Sequence, residues 1–213
     1  MTKVEAYAPP ASAAQALSPM ELLASLRAAL DPWDRSAPFW IFAYGSLMWN
    51  PQFAWDARHV ATIRGYHRSF RIWSRVNRGT PENPGLVLTL ERGGSCRGLI
   101  YRIDPDRVQE EMALIWQREM TYGSYLPKWI NCVVGDQTMR ALAFTVNREC
   151  SGYAGQIPEQ VMVDAISSAR GRYGAAYEYL FRTIESLREH GIRDSRVEHL
   201  AGLVREQLKK VPG

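Results

Sequence analysis

The segment DPDRVQEEMALIWQREM, residues 104–120, places Val108, Met112, Ile115 and Trp116 at i, i+4, i+7 and i+8. That spacing marks one face of a helix, the face that packs on a core. The next position of the stripe, i+11, is Glu119, whereas Glu110 and Gln117 fall off it, toward water. An inward carboxylate loses hydration, and its pKa rises from about 4.3 unless a cation compensates. A raised pKa is what a general base and acid working near neutral pH requires. The same spacing also fits a helix end that frays by this point, or a glutamate paired with a core arginine.

A second stretch, WIFAYGSLMWNP at residues 40–51, begins as an apolar strand and stops at Gly45-Ser46, with Leu47, Met48 and Trp49 after it. A plain surface turn more often takes Asn, Asp or Pro and then a polar residue. The stretch is either a turn whose flanks are core, or a backbone cradle for a ligand walled by aromatic side chains. Gly-Ser alone does not separate the two.

Other chemistries find less support. Cys96, Cys132 and Cys150 are odd in number and form no C-x-x-C, which points to a reducing cytosol and away from a disulfide framework or a cysteine-rich zinc site. His59, His67, His190 and His199 have no H-x-x-x-H or H-E-x-x-H spacing, so no metal site is expected. His190, just before Gly191, reads as the cap of a helix C-terminus. The formal charge is a mild +4. Arg58, Arg64, Arg68, Arg71, Arg75 and Arg78 nevertheless cluster, interleaved with Tyr66, Phe70 and Trp73. The default for such a run is the solvated face of a strand. The alternatives are a nucleic-acid surface or an anion site for a small carboxylate.

These groups need elements to hold them. At 213 residues, with 46% apolar and 23% charged, the chain suits one domain with an elaborated edge or two small ones. No apolar run approaches the ~20 residues of a membrane span, and MTKVEAYAPPASAAQALS lacks the apolar stretch of a signal peptide. Residues 1–38 read as a flexible leader plus one helix, opened by Ser18 as N-cap, Pro19 at N1 and Glu21 at N3 and ended at Asp31-Pro32. Strands are expected at 39–44 and around 58–64, 66–75, 85–91, 95–103, 127–134 and 138–146. A helix is expected from Asp104-Pro105, and others at 158–170, 174–190 and 195–210. The turn-rich NRGTPENPG, Asn77 to Gly85, lies between strands. A β-rich middle flanked by helices is an α+β arrangement, with the strands curled into a small barrel.

Taken in order, WIFAYGSLMWNP, SRVNRGTPENPGLVLTL, GSCRGLIYRI and QRE closely resemble the ChaC-type γ-glutamylcyclotransferases, from about Trp40 to the C-terminal helices. The resemblance implies a γ-glutamylcyclotransferase-like domain over residues 39–213, a small mixed β-barrel with surrounding helices. It implies a cytoplasmic enzyme that cleaves glutathione to 5-oxoproline and cysteinylglycine with no metal or cofactor, and with no nucleic-acid or membrane partner. The family's catalytic glutamate, the Glu of its RE pair, falls on Glu119. Its substrate-binding strand and loop fall on Phe42, Ala43, Tyr44, Gly45, Ser46 and Leu47. Tyr125 in GSYLP matches a family tyrosine that follows the glutamate and Tyr179 in YEYLF one on a late helix, and the resemblance implies a substrate-binding role for both. Many members carry His before the RG where this chain has Asn77, so no histidine role carries over there.

The implied reaction is an internal attack of the substrate's α-amine on its own γ-carbonyl, so the protein needs no nucleophile. Its task is to hold a near-attack geometry. Gly45, without a Cβ, admits close approach, and N–H groups from Gly45 to Leu47 suit the α-carboxylate or the polarised carbonyl. Tyr44, Met48 and Trp49 then serve as walls. Two alternatives stand beside this reading: the same reaction on another γ-glutamyl amine or dipeptide, and a non-catalytic ligand- or RNA-binding module on the same fold. An inward Glu119 and the small net charge speak against the second.

Overall fold

The structure, a computed structural model, describes residues 16–210 together with Val4 and Tyr7. The flexible leader expected at the N-terminus lies outside the described residues, apart from Val4, Tyr7 and the two residues before Ser18. Helix α1, Pro19–Leu30, starts where the capping box places it: the Ser18 hydroxyl accepts from the Glu21 N–H, and the Glu21 carboxylate accepts from the Ser18 N–H at 2.8 Å.

Strand β1, Phe39–Ala43, is buried along its whole length. Its continuous apolar character follows, because both faces are covered and both edges paired. β3, Gly85–Ile103, runs antiparallel to it, from Phe39↔Ile103 to Ala43↔Leu99. β5, Gln137–Val146, runs parallel to it at Ile41↔Leu142. β4, Tyr125–Val134, is antiparallel to β5 from Tyr125↔Val146 to Val134↔Gln137. β2, Ala57–Ser74, meets β4 at Ile63↔Cys132. The order β1-β3-β2-β4-β5 closes on itself as a mixed five-stranded barrel. Closure removes the exposed edges an open sheet would leave.

Where four strands were expected between 58 and 103, two long ones form. Gly65 on β2 and Gly93-Gly94 on β3 sit at φ of +83°, +98° and +72°. Such glycines bend a strand without ending its pairing, and the His67 ring nitrogen Nδ1 lies 2.9 Å from the Gly93 carbonyl across the bend. β1 and β3 also approach closely at Gly98: a Cβ there would stand 2.3 Å from the Ala43 carbonyl oxygen and 2.8 Å from Phe42 Cζ. Helix α2, Val108–Glu119, follows a 3-10 turn at Pro105–Arg107 that Asp104 caps through the Asp106 N–H.

The chain divides into two units. One holds α1, α2, β1, β4, β5 and the adjoining stretches of β2 and β3, with Phe39, Ile41, Ile63, Leu90, Leu99, Tyr101, Met112 and Leu142 in its core. The other holds residues 68–89 and the C-terminal segment from Arg148. In it α3, Glu159–Ser168, α4, Ala176–Glu189, and α5, Ser195–Lys210, pack on one another around Ile166, Leu180, Ile184 and Val204. A short hairpin of β6, Arg170–Gly171, and β7, Gly174–Ala175, takes up residues the helical pattern claimed at both ends of the α3–α4 gap. His190 caps α4 as expected, its Nδ1 2.7 Å from the Ser186 carbonyl.

The arginine run keeps its default as a solvated face at Arg58 and Arg64, which are exposed, and departs from it further along the strand. Arg68 and Arg78 are only 3% and 8% exposed. Burial is tolerated because each guanidinium is matched: Arg68 pairs with Asp194 at 2.5 Å, and Arg78 donates to the Tyr173 and Ala175 carbonyls. Arg71 donates to the Gly155 carbonyl.

Candidate active site

Glu119 is the last residue of α2. Its stripe behaves as the spacing predicts: Val108, Met112, Ile115 and Trp116 are all buried, while Glu110 and Gln117 are exposed. The Trp116 ring meets Phe144 edge to face at 5.6 Å, and its Nε1 donates to the Ser25 hydroxyl at 2.7 Å, so the final turn is anchored to both β5 and α1. The Glu119 side chain is left 15% exposed. Burial pushes its carboxyl above the ordinary glutamate range, and the neighbouring Arg118 opposes that rise without cancelling it. Unpaired carbonyls at a helix C-terminus disfavour an anion there as well. The paired-arginine alternative is thus also realised, by the residue next door rather than by a core arginine.

Arg118 is the group that spacing arguments did not single out. Its Nε lies 3.0 Å from Glu119 Oε1. Its Nη2 donates to Ser46 Oγ at 2.8 Å, and its Nη1 to the Asn50 carbonyl at 2.5 Å and to Gln52 Oε1 at 3.2 Å. The signal was present in the sequence as one half of the RE pair.

The stretch after β1 is a 3-10 turn, Ser46–Met48, with Gly45 at its N-cap position. The Met48 N–H bonds back to the Gly45 carbonyl, and the Met48 carbonyl accepts from the Tyr101 hydroxyl at 3.1 Å. Tyr44, Gly45, Leu47 and Met48 are buried and Ser46 is half-buried. Tyr44 donates its hydroxyl to the Phe144 carbonyl at 2.8 Å and stacks on Phe42 at 6.5 Å. Tyr125 opens β4 with its ring against Phe144 at 6.4 Å. Phe144 is therefore the hub on which Tyr44, Trp116 and Tyr125 converge.

Of the residues expected to act together, Tyr44, Gly45, Ser46, Leu47, Tyr125 and Glu119 are joined in one unit through Phe144 and Arg118. Phe42 and Ala43 have no exposed surface; as neighbours on β1 they point to opposite faces of the strand, both of them covered. Tyr179 belongs to the other unit, on α4, where its hydroxyl accepts from the Leu88 N–H at 3.3 Å. Its ring there is flanked by Phe70 and by the Arg78 guanidinium. Among the described residues no group of three or more His, Cys, Asp or Glu is placed to hold a metal ion. Among them too, no helix is long and apolar enough to cross a membrane.

The family model for ChaC-like proteins matches residues 39–207. The glutathione-specific gamma-glutamylcyclotransferase of Escherichia coli K12 is 35% identical over 186 residues, covering 87% of this chain and 80% of that protein. Glutathione-specific gamma-glutamylcyclotransferase 1 of Mus musculus is 34% identical over 200 residues, 91% of this chain and 89% of that one. A crystal structure of a yeast gamma-glutamyl cyclotransferase specific to glutathione superposes with a TM-score of 0.74 at 20% identity, over 80% of this chain and 96% of that one, a likeness of fold. With its barrel, its Gly-Ser turn and its RE pair in the family's order, the chain belongs to the ChaC-like family.

Proposed function

We propose that this protein cleaves glutathione to 5-oxoproline and cysteinylglycine, with Glu119 as base and acid and the Tyr44–Leu47 turn as the seat of the γ-glutamyl group. The α-ammonium gives one proton to the Glu119 carboxylate. The freed amine nitrogen bonds to the γ-carbonyl carbon, and the oxygen carries the developing charge toward backbone N–H groups of the turn. When the tetrahedral intermediate collapses, the bond from the γ-carbon to the cysteine nitrogen breaks. Glu119 returns its proton to that nitrogen, and the second hydrogen lost from the ring nitrogen passes to the departing amine, so protons balance. Tyr44, Tyr125 and Phe144 line an apolar side that limits water.

One observation carries this reading: a largely buried carboxylate with an elevated pKa at the end of α2, bridged by Arg118 to Ser46 in the turn. A solvated glutamate is too weak a base to take a proton from an ammonium near pH 8, and burial narrows that gap. The names of the curated relatives favour glutathione over other γ-glutamyl amines. A cytoplasmic, small-molecule role fits three cysteines that form no disulfide and the internally matched Arg68 and Arg78. The test is Glu119→Gln, assayed by 5-oxoproline release from glutathione. Turnover should fall by about 10²–10⁴-fold or more while calorimetric binding of glutathione persists. Near-normal turnover in a folded variant would remove Glu119 from the mechanism.

A further inference from the structure

The Arg118 guanidinium has acceptors on every side, and they come from two separate stretches of chain. Ser46, Asn50 and Gln52 belong to the segment that leaves β1, while Glu119 ends α2. A planar fork with five N–H groups can serve such a spread, whereas an ammonium, a single point, cannot. Gln52 adds an independent sign. It has φ of 53°, the one non-glycine residue at positive φ among the described residues, and it offers its side-chain oxygen to Arg118. Left-handed backbone at a non-glycine residue is disfavoured and persists where surrounding contacts over-determine it, commonly beside functional sites.

We propose that Arg118 is a positioning residue for the cyclisation, clamping the turn after β1 to the end of α2 so that cradle and base share one fixed geometry. The proposal rests on the reading of Glu119 as the base. Arg118 touches the base and not the reacting atoms, and it acts in two ways. It holds the distance between the turn that seats the substrate and the carboxylate that takes its proton. It also sets where that carboxylate titrates, since Arg118 is the charged group that acts on Glu119 among the described residues; Ser46, Asn50 and Gln52 on the turn are neutral. A purely structural staple would do the first in part and the second not at all.

Arg118→Met and Arg118→Lys, with Glu119→Gln alongside, separate these cases when kcat and kcat/KM for glutathione are measured across pH. In Arg118→Met, kcat should fall on the order of 10–100-fold with a smaller change in KM, as expected for a misplaced reacting pair. The acid limb of kcat/KM should move to higher pH, because the carboxylate has lost its cation. Arg118→Lys should bring the limb back toward wild type but not restore kcat, since charge returns without the fork. A Met variant whose acid limb is unmoved, and whose kcat falls only with its folded fraction, reduces Arg118 to a staple. Should Arg118→Met not fold, Arg118→Lys decides: wild-type kcat/KM at all pH values overturns the clamp. An active Glu119→Gln overturns the underlying reading, whereas an inactive one with an unmoved Arg118→Met limb overturns this proposal alone.

Discussion

Glu119 holds two opposing demands in one side chain. Base strength is gained by burying the carboxylate, and burial is unfavourable to the charged form. Its pKa is raised in the folded protein, first by burial and with Arg118 opposing. Between the unfolded value, about 4.3, and the higher folded value, the native state keeps a proton that the unfolded chain has lost. Raising pH through that window therefore favours unfolding, and the loss persists above it. A glutamine has no such window. Relative to wild type, Glu119→Gln should show no stability gain near pH 4 and a gain that opens as pH rises to neutrality. The rise in the Glu119 pKa is already net of the Arg118 pairing that opposes it, so the ion pair lost in the variant reduces the gain without cancelling it. Thermal melting of the two proteins from pH 4 to pH 8 measures the gap; a wild type that stays at least as stable throughout would mean that the Arg118 pairing outweighs burial.

At the level of elements, α2 aims the carboxylate and Trp116 aims α2. Trp116 is 1% exposed, packs on Phe144 and bonds to Ser25. Trp116→Phe keeps most of the ring and loses the indole N–H, costing about 1 kcal/mol with activity retained. Trp116→Ala opens a cavity worth about 3–5 kcal/mol and frees the last turn, so kcat per folded molecule should drop as well. Urea melts paired with turnover normalised to folded fraction test this; an Ala variant that is destabilised but fully active would show that the base is aimed by something else. The helical elements were readable because capping residues and apolar stripes are local, as at Ser18-Pro19-Glu21 and Val108–Trp116. The long strands were misread as four because a glycine at positive φ looks the same in a sequence whether it ends a strand or bends one. The burial of Arg68 and Arg78 was unreadable for a different reason: Asp194 and the carbonyls of Tyr173 and Ala175 lie about a hundred residues or more away along the chain.

For the whole molecule, the site's parts were legible one at a time, but their joining was not. Spacing placed Glu119 inward and the order of motifs placed the turn at Tyr44–Leu47, yet nothing local says that Arg118 reaches Ser46, 72 residues away. Tyr179 matched a family tyrosine by motif, and its position on α4 beside Arg78 in the second unit depends on helix packing that periodicity does not specify. The reaction proposed for these parts uses organic groups throughout: the substrate's own amine as nucleophile, Glu119 as proton carrier, and backbone N–H groups of the turn for the charge on the γ-carbonyl oxygen. Activity should therefore survive exhaustive dialysis against EDTA, with kcat/KM for glutathione within about twofold of the untreated enzyme, a spread that reflects assay error rather than the roughly 10²-fold or larger loss expected when a main charge-stabilising group is removed. Glutathione's thiol binds soft metals, so release of 5-oxoproline, not disappearance of thiol, is the quantity to follow. A loss of turnover that a divalent cation restores would mean that the γ-carbonyl is polarised by a Lewis acid, and the Tyr44–Leu47 turn would then have to be read as a support for that ion rather than as the group that meets the oxyanion.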